Sequence, residues 1–156
     1  MNTIKKISFE SVPKTAGCCC DKCGQYLQNI YTVTYSNDIS YHFGIDCFNK
    51  LLKSSSLNSF GMKEFKKLLK RIQHWQERCE YWTKITEEEA RAAAAEKGVK
   101  LEIECSESAH YGETFEEYKE WMLNCFIAER FKENEKELQR FKGVKFETPD
   151  NSKQTK

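Results

Sequence analysis

The chain has 156 residues, 39% of them hydrophobic and 13% aromatic, with 25 basic and 24 acidic side chains for a formal net charge of +1. That length suits one domain of ordinary size or a small module with a helical extension; no apolar run approaches the roughly 20 residues of a membrane span, and residues 1–7 lack the long apolar centre of a signal peptide. The expected setting is cytoplasmic, where thiols stay reduced, so the eight cysteines favour a metal over disulfides.

The near-neutral charge is unevenly spread. Residues 1–85 hold 13 basic and 7 acidic side chains, net +6, whereas residues 86–142 hold 9 and 15, net −6. Such asymmetry suits a basic surface for nucleic acid; the plainer account is that the two halves face each other.

Taken in order, residues 4–9 read as a short edge strand, and residues 11–17 as a loop punctuated by Pro13 and Gly17. The turn Cys20-Asp21-Lys22-Cys23-Gly24 follows. Ile30, Thr32 and Thr34 alternate with Tyr31, Val33 and Tyr35, which predicts a strand. Ser36-Asn37-Asp38 is a turn and residues 39–43 return as a second strand. Asp46 stands at a helix start, where its carboxylate suits the dipole, and Phe48, Leu51 and Leu52 recur at helical spacing. A long helix is predicted from Ser59, with Phe65, Leu68, Leu69, Ile72, Trp75, Cys79 and Trp82 as its stripe. Thr86–Glu89 matches a capping box, the alanine-rich segment behind it favours helix, and Gly98 supplies a stop.

Val99, Leu101 and Ile103 alternate with charged residues, predicting a short strand over residues 99–105. Thr114-Phe115-Glu116-Glu117 is a second capping box, opening a helix expected to last until Lys142. The polar residues 148–156 read as a disordered tail. The expected fold class is α+β: a zinc module at 1–53, a helical region with one strand at 54–147, then the tail.

Chemistry gathers around the cysteines. Zinc takes four soft or borderline ligands in a tetrahedron, and a CxxC turn sets two sulfurs at a suitable separation. Gly24 leaves the backbone unhindered, and Cys47 at a helix start lies where the dipole favours a thiolate. The fourth ligand is open. His42, five residues before Cys47, is the first choice, followed by Cys18 or Cys19, then Asp46, Asp21 or water. A redox dithiol is disfavoured because a strand, not a helix, follows the CxxC.

This order of knuckle, hairpin and helix resembles the treble-clef family of zinc modules. Cys-Asp-Lys-Cys-Gly, residues 29–33, and Tyr-His-Phe-Gly-Ile-Asp-Cys look like small zinc modules of phage and mobile-element proteins. The resemblance covers about residues 18–53 and lacks the second CxxC of the usual pattern. It implies one structural Zn2+ held by Cys20, Cys23 and Cys47; the fourth ligand, where the chain departs from the family, stays open with His42 as the first choice.

Outside that stretch, Cys79, Cys105 and Cys125 read as small buried hydrophobes, in preference to a second metal site with His74 or His110. Lys63, Lys67, Lys70 and His74 share one helical face, flanked by Lys66 and Arg71. That face can neutralise phosphates, but no aromatic residue interleaves with it to stack bases, which disfavours single strands. No nucleophile and base stand at a recognisable spacing. The expected function is a non-enzymatic, zinc-containing protein that engages a protein partner through its helices, with Trp75, Trp82, Trp121 and Phe131 as anchors if exposed. The alternative is a nucleic-acid-binding module using Lys63, Lys66, Lys67, Lys70 and Arg71.

Overall fold

The computed structural model describes residues 2–149; the expected tail at 148–156 therefore lies outside the described residues from position 150 onward. The fold is α+β, and its described residues form two compact units. The first is built from residues up to Gln73 together with those from Glu133; the second is His74–Lys132.

In the first unit, strands β1 (Ile4–Ser11), β4 (Asn29–Tyr35) and β5 (Ser40–Phe43) form an antiparallel sheet with β4 central. Between β1 and β4, β2 (Cys18–Cys19) and β3 (Tyr26–Leu27) make a two-stranded ribbon. Ile7 pairs with Val33, and Val33 with Tyr41, so one sheet face presents Ile7, Val33, Tyr35, Tyr41 and Phe43, all buried. The β4–β5 turn closes as expected: Asp38 takes a φ of 65°, and Asn37 Oδ1 accepts from the Ile39 amide at 3.1 Å.

Helix α1 (Ile45–Lys53) buries Cys47, Phe48, Leu51 and Leu52, with Phe48 stacked on Tyr31 at 5.0 Å. Helix α2 (Ser59–Lys84) adds Phe65, Leu68, Leu69 and Ile72 to the same core. The C-terminal segment belongs there too. Phe146 is fully buried against Phe65, 5.5 Å between ring centres. It exchanges two backbone hydrogen bonds with Asn2, and the Tyr35 hydroxyl donates to the Glu147 carbonyl at 2.6 Å. A module ending at residue 53 is thus not the compact unit that forms.

The second unit has its own core of Trp82, Ile85, Ala90, Ile103, Phe115, Tyr118 and Ile127. Both capping boxes occur. Thr86 starts α3 (Glu87–Glu96) and accepts from the Glu89 amide at 3.2 Å, while Thr114 starts α4 (Phe115–Trp121) and accepts from the Glu117 amide at 3.1 Å. In each, the threonine hydroxyl also donates to the glutamate.

Two expectations are corrected. Residues 99–105 are not a strand: Glu102–Glu104 form a 3-10 turn, Ile103 is buried with Leu101 packed on the same core, and no described strand pairs with the segment. The last helix is also not uniform. A π-helical stretch, Met122–Ile127, separates α4 from α5 (Ala128–Gln139). Its wider turn brings residues five apart into register, and Trp121 meets Phe126 at 5.6 Å.

Candidate metal centre

Cys20 and Cys23 flank a tight turn at the closed end of the β2–β3 ribbon. The Cys20 amide donates to the Gln25 carbonyl and the Gly24 amide to the Cys20 carbonyl, both at 2.8 Å. Gly24 closes the turn at a φ of 79°, a conformation that costs glycine little. The turn is fastened to β5 through position 42: the Asp21 amide donates to the His42 carbonyl at 2.8 Å, and the His42 amide donates to Asp21 Oδ2 at 2.6 Å. Since β5 leads through Gly44 straight into α1, this fastening sets Cys47, in the first helical turn, opposite the knuckle.

The result is a cluster in which the ligand atoms of Cys20, Cys23 and Cys47 all lie within 4.8 Å of one another. A tetrahedral ion with metal–sulfur bonds of about 2.3 Å wants its sulfurs ~3.8 Å apart. Adjustments of about 1 Å or less satisfy it, and the soft donor set suits zinc. Three close cysteines can therefore hold a metal ion.

The thiols are not equivalent. Burial works to raise Cys20, but backbone N–H groups of Cys23, Gly44 and Lys22, with the Cys23 thiol, outweigh it and bring its pKa down to about 7. Burial pushes Cys47 up to about 11, helped by hydrogen bonds to Cys23 and Cys20 and by their charge. Cys20 is thus prepared as a thiolate by its own knuckle, whereas Cys47 keeps its proton beside two other sulfurs. A divalent cation would relieve that crowding of charge.

His42 is not part of the cluster. Alternation along β5 sends Tyr41 and Phe43 into the core, which turns His42 to the opposite face. There its Nδ1 lies 3.0 Å from Oγ1 of Thr32, its cross-strand neighbour. Cys18 and Cys19 also stay outside, on β2 opposite Leu27 and Tyr26. Asp21 is engaged by the His42 amide. Asp46, next to Cys47, is exposed and lines a cavity of about 550 Å³ whose wall includes Cys23, Cys47, Gln25 and Tyr26.

The other singled-out residues are placed as follows. Lys63, Lys66, Lys67, Lys70 and Arg71 are all exposed. Arg71 makes a two-pronged pair with Glu137, at 2.8 and 2.5 Å, and Lys67 reaches Glu64 at 3.4 Å. Trp82 is buried, and Trp75, Trp121 and Phe131 are half-buried, packed against the same core. Cys79 and Cys105 are half-buried, but Cys125 is exposed, contrary to expectation. Neither His74 nor His110 joins a metal cluster among the described residues; His110 instead pairs with Glu113 at 3.0 Å and lies against Trp121.

Two contributors were not anticipated. One is the Gly44 amide, aimed at the Cys20 sulfur; the glycine before the helix was its only trace in the sequence. The other is Phe60, 73% exposed at the start of α2. No described helix is long and apolar enough to cross a membrane. Comparison with protein-family models, curated proteins and solved structures found no match.

Proposed function

We propose that this chain is a non-enzymatic, zinc-stapled binding protein, with one Zn2+ held by Cys20, Cys23 and Cys47 and the fourth position taken by water or the Asp46 carboxylate. The observation that carries this reading is the three-sulfur cluster with its hydrogen-bonded knuckle. The order of elements around it supports a treble-clef-like module of the small phage type, acting in the cytoplasm. Zinc in this role fixes the knuckle, β5 and the head of α1 relative to one another and performs no reaction. Metal analysis of the purified protein should return about one zinc per chain. Protein that carries no metal and folds normally would overturn the reading.

A protein partner remains the first proposal for what is bound. Its contacts would come from exposed apolar side chains such as Tyr81, Val99 and Tyr111 of the second unit, since none of the four aromatic anchors is exposed. A second reading, nucleic acid, is favoured by the exposure of Lys63–Arg71: Lys63, Lys66 and Lys70 form no ion pair among the described residues. The first unit's sequence, residues 1–73 and 133–156, carries 17 basic and 10 acidic side chains, net +7. Binding should then weaken steeply with salt and collapse in the Lys67→Glu/Lys70→Glu variant; unchanged affinity would remove this helix from consideration.

A further inference from the structure

On α2, Phe60, Lys63, Lys67 and Lys70 follow one another at steps of three, four and three, so they form a single line along the helix. At 100° per residue this line lies opposite Phe65, Leu68, Leu69 and Ile72, which are the side chains that α2 buries in the first unit. Phe60 therefore cannot turn into the core. It stands in the first turn after Asn58, whose Oδ1 accepts from the Gly61 amide at 2.7 Å. A single exposed apolar side chain is ordinary. Phe60 differs in being the most exposed of the large hydrophobics and in heading a row of three lysines.

We infer that this line is a binding strip for single-stranded nucleic acid, on which Phe60 stacks an unpaired base while Lys63, Lys67 and Lys70 neutralise the following phosphates. This rests on the nucleic-acid reading of the basic face and adds strandedness to it. Phe60 to Lys70 spans ~15 Å of helix, enough to track several nucleotides. Lysines alone would not favour a single strand, because the duplex offers the denser row of phosphates. An exposed ring adds affinity only where a base is free to leave its own stack, and such stacking tolerates any base. Of the strip's lysines only Lys67 meets a carboxylate, that of Glu64 at 3.4 Å; Lys63 and Lys70 form no ion pair among the described residues.

The test is fluorescence anisotropy with labelled oligothymidylate of about 20 nucleotides, against a duplex of equal length, over a salt series. The single strand should bind more tightly. Phe60→Ala should weaken it about tenfold with the salt slope unchanged, Phe60→Trp should preserve it, and Phe60→Leu should behave like alanine because it keeps apolar area without a π face. Lys63→Ala/Lys67→Ala/Lys70→Ala should reduce the single-strand slope by about 2, at about 0.7 per phosphate contact. These are exposed positions, so the variants should keep the parent circular dichroism. If duplex and single strand bind alike and Phe60→Ala is neutral, the stacking inference is overturned while the basic-face reading stands. If neither probe responds to the triple lysine variant, both are overturned.

Discussion

At Cys20, burial and hydrogen bonding pull one sulfur in opposite directions, and the amides of Cys23, Gly44 and Lys22 prevail. Cys47 has no such donors and is held protonated up to about 11. Metal affinity should follow from that difference. A bound ion must displace the Cys47 proton throughout the neutral range, so affinity should rise about tenfold or more per pH unit between pH 6 and 8. Below about 7, protonation of Cys20 should steepen the dependence. Calorimetry in buffers of different ionisation enthalpy would read this as at least one proton released per ion; a pH-independent affinity would contradict it. Cys20→Ser should abolish stoichiometric binding, while His42→Ala should retain it, since the imidazole faces Thr32. The cysteines were legible because CxxC-Gly and a helix-start cysteine each have a local reason for their spacing. His42 was misplaced although the clue was present: its two aromatic neighbours both demand the core, and alternation leaves it the other face.

Among the elements, those with a chemical start signal were the most legible. Thr114 is a clear case, because its hydroxyl both accepts from the Glu117 amide and donates to the Glu117 carboxylate. Thr114→Ala should cost about 1 kcal/mol, and Thr114→Ser should recover most of it. All three tryptophans, Trp75, Trp82 and Trp121, lie within the second unit, so denaturation followed by tryptophan emission should report the loss. An unchanged midpoint would mean that the box contributes nothing. The segment at 99–105 misled for the converse reason. Alternation predicts a strand only where another strand offers a free edge, and three apolar residues can equally serve a turn that buries one of them. The π-helical stretch has no sequence signal comparable to a cap.

For the whole molecule, what the sequence concealed was closure at long range. Residues 18–53 look self-contained, yet the first unit also takes Phe65, Leu68, Leu69 and Ile72 of α2, with Leu138 and Phe146, into its core. No local pattern around Phe146 announces this: it sits in a polar stretch, and its partners Asn2 and Phe65 are far away in sequence, as is Tyr35, which holds the neighbouring Glu147 carbonyl. A metal cannot replace those contacts. Zinc can fix the geometry of three sulfurs, but Val33, Tyr35, Tyr41 and Phe43 still need apolar cover, and a fragment of residues 1–53 lacks it. That fragment should therefore remain unfolded even with zinc, by circular dichroism and proteolysis. In the full chain, Phe146→Ala should destabilise the first unit by about 3–5 kcal/mol. Because the two cores are separate clusters, tryptophan emission from the second unit should change less than the cobalt absorption of the substituted cysteine site. Equal loss of both signals would mean that the chain unfolds as one cooperative body.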